Sequence, residues 1–101
     1  MKEMQKFISM LYEVEQAAFY EKCIISSGGN SAWEVKQLEQ VVLPEVHALL
    51  SYALVGKVFF RYGKGNRLLE STYLLTDSLQ NLSSTTLGKK IIELQRVYEF
   101  L

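Results

Sequence analysis

The 101-residue chain contains one Cys, one His, one Asp, one Pro and one Trp. A single Cys cannot close an internal disulfide, which excludes a stapled secreted scaffold. One Cys and one His cannot build a Cys/His zinc cage. His47 and Asp77 are the sole residues of their kinds. Nothing in the spacing ties them to a particular Ser, so no nucleophile–base–acid set is legible. The Glu-x-x-His pair of metal-binding helical bundles is absent. Gly63-x-Gly65 lacks the third Gly of a dinucleotide fingerprint, and no Walker motif occurs. The expectation is a protein that is not an enzyme, with no catalytic residue, no metal and no cofactor.

An excess of one charge is also missing. Lys and Arg number 11, as do Asp and Glu, which argues against a general polyanion binder. Long apolar runs are missing too. The most apolar segment, Val46–Phe60, contains Ser51 and Lys57 and falls short of the roughly 20 residues a membrane span needs. The N-terminal sequence MKEMQKFISMLYEVEQ lacks an uninterrupted apolar stretch of about 7–15 residues, the mark of a signal peptide. The expected location is cytoplasmic, without a membrane partner. Cys23, among Tyr20, Ile24 and Ile25, reads as a small core residue.

What is present is helical patterning over a single domain, residues 1–101. Met4, Phe7, Leu11, Val14 and Ala18 recur at spacings of three and four, which places them on one helical stripe. Gly28-Gly29 supplies a stop, because Gly takes the left-handed C′ conformation at little cost. Ser31-Ala-Trp-Glu34 fits a capping box, and Val35, Leu38, Val41 and Val42 continue the period. Pro44 either kinks a long helix or opens a new one at its first turn. Val46–Phe60, apolar nearly all round, reads as the central buried helix. Leu68, Thr72, Leu75, Leu79 and Leu82 keep the helical spacing, as do Leu87, Ile91, Leu94, Tyr98 and Leu101. Thr85 or Thr86 caps the last helix. The fold expected is all-α, a compact antiparallel bundle of four or five helices. The competing fold is α+β, with strands at Val55–Tyr62 and Arg67–Thr76 joined by Gly-Lys-Gly-Asn. Phe59-Phe60 and Leu68-Leu69 break the strand alternation.

The zero net charge is divided. Residues 1–50 hold four Lys and seven Glu, a balance of −3; residues 51–101 hold seven Lys or Arg and four acids, a balance of +3. Lys57, Arg61, Lys64 and Arg67 have no acid between them, and Tyr62 lies among them. Such a cluster can be the solvated end of an apolar helix, a docking face for a protein, or a phosphate contact with a stacking Tyr. Four cations on a neutral chain make nucleic acid the weakest of the three. Aromatics reach 12%, more than a bundle this small can hide, and Tyr suits half-buried interfaces. Trp33, next to a predicted helix start, either covers a helix end or marks a partner surface. The candidate protein-binding residues are therefore Trp33, Glu34, Lys57, Arg61, Tyr62, Lys64 and Arg67.

About a hundred residues, helical, aromatic-rich and without catalytic groups, the whole chain resembles small bacterial toxin-immunity proteins of the contact-dependent growth-inhibition or bacteriocin type. Arg61-Tyr-Gly-Lys-Gly-Asn-Arg-Leu-Leu-Glu-Ser-Thr-Tyr73 looks like the distinctive part of such a sequence. The resemblance implies a protein that occludes a cognate toxin domain by a rigid complementary face, with no chemistry of its own. Immunity proteins against nuclease toxins are often acidic; here only the first half of the chain is. A homo-oligomeric helical adaptor that uses the apolar central helix as its seam, and a nucleic-acid-binding regulator that uses residues 57–67, are the competing expectations.

Overall fold

The computed structural model describes residues 2–58, 68–77 and 81–101. The first helix, α1 (Lys2–Ser26), is 25 residues long. At 1.5 Å per residue that is about 37 Å, close to the 41 Å long dimension of the molecule. It ends as the glycines predict. Gly28 has φ +82°, its amide donates to Ile25 O, and the amide of Gly29 donates to Ile24 O. This is the Schellman pairing, which satisfies carbonyls that the helix end would otherwise orphan.

The next helix starts later than the Ser31 box predicts. Glu34 is the N-cap of α2 (Val35–Gln37), with the Glu34 amide donating to Gln37 Oε1 at 2.9 Å. Ser31 instead accepts from the Trp33 amide at 3.1 Å and donates to Glu21 Oε1 at 2.5 Å. It pins the turn to α1 rather than capping the helix. A π-helical turn (Leu38–Val42) follows and runs directly into α3 (Leu43–Ala53). The three pieces form one continuous helical run, which resolves Pro44: it sits at the start of α3 without breaking the chain's course. In an α-helix its ring would meet the carbonyl four residues back. The preceding turn is widened instead, with the Leu43 amide reaching Leu38 O, five residues back.

Helix α3 ends at Ala53, so the single buried helix expected over Val46–Phe60 stops short; Phe59 and Phe60 lie outside the described residues. Gly56 has φ +77°. Its amide donates to Ala53 O and that of Lys57 to Tyr52 O, a second Schellman pairing. Leu54 and Val55 lie exposed in that turn. A short helix, α4 (Ser71–Asp77), a 3-10 turn (Leu82–Ser84) and α5 (Thr86–Glu99) complete the order. No strand occurs among the described residues, and α4 occupies most of the second strand of the competing hairpin. The all-α helical bundle is the fold.

The central element is α1, which packs against both α3 and α5. Its stripe of Phe7, Leu11, Val14 and Ala18 is fully buried. Facing it are Leu38, Val42, Val46, Leu49 and Leu50 on one side and Leu87, Ile91, Leu94 and Tyr98 on the other. The rings of Phe7 and Tyr98 stack at 5.7 Å with an 11° tilt, an offset arrangement that favours aromatic pairs. Cys23 is exposed, contrary to its expected core role. It stands five residues past Ala18, about 140° round the helix from the buried stripe.

Polar clamps complete the assembly. The Glu45 side chain is 3% exposed and accepts from Glu70 N at 2.5 Å, Ser71 N at 2.9 Å and Ser71 Oγ at 2.6 Å. From α5, the buried Gln95 accepts from Leu69 N at 2.7 Å. Three consecutive amides at the entry to α4 are thus held by side chains of two other helices. This satisfies donors that burial would otherwise leave unpaired.

Candidate functional site

The expected binding residues divide on the structure. Trp33 is 3% exposed. Its Nε1 donates to Thr85 Oγ1 at 3.1 Å, while the same oxygen accepts from Gly88 N at 3.0 Å and its proton goes to Leu82 O at 2.6 Å. One hydroxyl therefore caps α5, as predicted, and anchors the indole, using its full donor and acceptor capacity. Trp33 covers a helix end and presents no surface to a partner.

Glu34 is exposed, and so is Lys57. They flank the two ends of the helical run from Val35 to Ala53, which spans roughly 28 Å at 1.5 Å per residue. They do not form one face. Arg61, Tyr62, Lys64 and Arg67 lie outside the described residues.

Large apolar side chains stand outside the packed core at other places. Helix α1 exposes Tyr12, Phe19 and Tyr20; the end of α3 exposes Tyr52, Leu54 and Val55. Phe19, Lys22, Cys23, Ser26 and Ser27 line a hollow of about 450 Å³ at the C-terminal end of α1. Lys22 reaches Glu39 at 3.0 Å and lies 5.8 Å from the Phe19 ring centre. These two contacts steady the ring on the outside of the helix. None of these residues was legible as a surface group. Their only signal was position off the buried three-four stripe.

His47 sits at the edge of α3, with Nε2 2.6 Å from Glu15 Oε2 and its ring 6.5 Å from that of Phe19. A nearby hydroxyl, that of Ser51, donates to Ala48 O at 2.8 Å. The His–Glu contact therefore links α3 to α1. The side chain of Asp77 lies outside the described residues. Among the described residues no group of three His, Cys, Asp or Glu is placed to hold a metal ion, and no helix is long and apolar enough to cross a membrane.

The charge division appears as one cross-half contact among the described ion pairs, Lys90 Nζ to Glu13 Oε1 at 3.0 Å. It spans the seam between α1 and α5. Exposed pairs of this kind contribute about 0–1 kcal/mol, so it orients more than it stabilises. The chain matches no protein-family model, no curated protein and no solved structure.

Proposed function

We propose that the chain is a non-catalytic protein-binding module of the toxin-immunity type, which neutralises a cognate toxin domain by covering it. The observation that carries this reading is the contrast between a well-filled core and the large apolar side chains held outside it. Trp33 is buried, whereas Tyr20, Leu54 and Val55 are each more than half exposed. They stand on helices or pinned helix ends, where little ordering cost opposes association.

A stable complex buries about 800 Å² per partner, and the whole surface here is 6192 Å². The alternative of a dimer seamed along the apolar middle helix loses support. Leu43, Val46, Leu49, Leu50 and Ala53 of α3 are already spent inside the bundle.

The test is co-expression with the toxic domain encoded beside this chain. The expected result is restored growth and a 1:1 complex of nanomolar affinity. Growth that stays arrested, or a neighbouring gene unrelated to any toxin, removes the toxin assignment.

A further inference from the structure

Helices α1 and α5 run antiparallel: Phe7 stacks on Tyr98, and Glu13 reaches Lys90. Besides its buried stripe, each carries a second stripe at three-four spacing along the outside of their seam. On α1 it is Glu3, Lys6, Met10, Glu13 and Ala17; on α5 it is Lys90, Glu93, Val97 and Phe100. These residues line three hollows of about 480, 360 and 310 Å³. The first two share Lys6, Arg96 and Val97, and the first and third share Glu13. Together they form one furrow along the seam. Two antiparallel helices with outward side chains at this spacing are half of a four-helix bundle. The charges in the furrow are largely unspent. Glu13 is paired with Lys90, but Lys6, Glu93 and Arg96 are exposed and make no ion pair among the described residues.

We propose that a second copy of this chain covers the furrow, related to the first by a two-fold axis that crosses the helices between Ser9 and Met10. The levels of the two helices fix the pairing. With Phe7 beside Tyr98 and Glu13 beside Lys90, the midpoint of Lys6 and Glu13 lies abreast of the midpoint of Glu93 and Arg96. One axis through both midpoints therefore sets Lys6 of each copy on Glu13 of the other, and Arg96 of each on Glu93 of the other. Each contact occurs twice, as a two-fold interface requires. At the axis Met10 of one copy faces Ser9 of the other, a flexible side chain against a small one. Glu3 faces Gln16, and no two like charges stand opposite.

Other arrangements of two copies fail on charge. A two-fold axis along the helices makes each level meet itself, so Lys6 faces Arg96 of the other copy. An axis moved one helical turn along α1, to Glu13, sets the two Glu13 side chains against each other. Juxtaposed like charges of this kind disfavour a pairing. The overlap runs over residues 3–16 of α1 and 89–100 of α5. That is a strip about 20 Å long and two helices wide, at the small end of specific interfaces. The dimer is accordingly reversible, with a dissociation constant in the micromolar range. Its face is not that of the middle helix, whose apolar side chains are inside the bundle, and the inference stands apart from the toxin-immunity reading.

The test is sedimentation equilibrium of the full chain over a wide range of concentration, up to about 1 mM. A reversible monomer–dimer equilibrium is expected, and dilution should shift the amides of residues 6–13 and 93–100 in nitrogen-15 spectra. Glu93→Arg and Arg96→Glu each turn two attractive pairs into two repulsive ones, and each should weaken the dimer about tenfold. Mixed together, the two variants meet with opposite charges at both places and should associate about as tightly as the unaltered chain. A chain carrying both changes should do the same. Circular dichroism checks that every variant keeps its helices, and the dilution shifts of the unaltered chain need no variant. A chain that stays monomeric overturns the proposal and leaves the furrow to a helix of another protein. Dilution shifts centred elsewhere, unchanged affinity in both single variants, or a mixture that associates no more tightly than its components also overturns it.

Discussion

Replacing Glu45 tests how the bundle holds α4. The carboxylate accepts three hydrogen bonds, two of them from Ser71, which is buried. In Glu45→Ala the Ser71 N–H and O–H lose their acceptor away from water, and each orphaned buried donor costs about 1–3 kcal/mol. Glu70 is only partly buried, so water can replace its lost bond. The sum is about 2–6 kcal/mol, a large share of the roughly 5–15 kcal/mol that holds a domain of this size. At about 4–8 °C per kcal/mol, the melting midpoint should fall by at least about 8 °C. Glu45→Gln keeps one acceptor oxygen in nearly the same place and should cost about half as much. Urea unfolding followed by circular dichroism measures both variants. Hydrogen exchange adds the location: Glu70 and Ser71 amides should exchange faster, while Leu69, held by Gln95, should change least. An Ala variant within about 0.5 kcal/mol of the parent, the scatter of surface changes, would refute the clamp. So would a Gln variant as unstable as the Ala one, because the loss would then follow charge and not acceptor geometry.

Other parts of the fold make separate expectations. Thr85→Ala removes the cap of α5 and the Trp33 acceptor together, and should cost about 2–3 kcal/mol; Thr85→Ser should recover most of it, with near-ultraviolet dichroism reporting the indole. Gly88→Ala places a Cβ 2.0 Å from Leu82 O; despite the higher helix propensity of Ala, thermal melts should show a loss of about 1–3 kcal/mol from overpacking. Native Cys23 should react with one equivalent of a thiol reagent at close to the rate of unfolded protein, since it is exposed; protection until denaturation would contradict its position on α1.

The elements legible in the sequence are those whose signal is local. The stripe of Met4, Phe7, Leu11, Val14 and Ala18 shows in the three-four spacing, and all but Met4, which is partly buried, are buried. Gly28 and Thr85 act as the helix stop and cap that their residue types suggest, since both devices close within five residues. The rest depends on distant partners. Ser31 fits a cap by pattern, but Glu21, ten residues back, takes its hydroxyl. Glu45, within an apolar stretch, finds its donors 25 and 26 residues later, where spacing rules have no reach. Val46–Phe60 misleads because its apolar content continues past Gly56, whose left-handed turn ends the helix and leaves Leu54 and Val55 outside. Trp33 is ambiguous in the sequence because its partner, Thr85, is 52 positions away.

The π turn at Leu38–Val42 has a consequence for deletions. A π turn spends one residue more than an α turn on the same span. Removing one residue from it would leave a helical chain but rotate everything before it by about 100° and shift it by about 1.5 Å relative to α3. The Trp33 indole would swing away from Thr85, and the ring of Pro44 would face the carbonyl that the wider turn now keeps clear. This chain should therefore tolerate many substitutions between Leu38 and Val42 but no single-residue deletion there. Related chains, wherever they are found, should keep the spacing between the indole and the proline even where little else is shared.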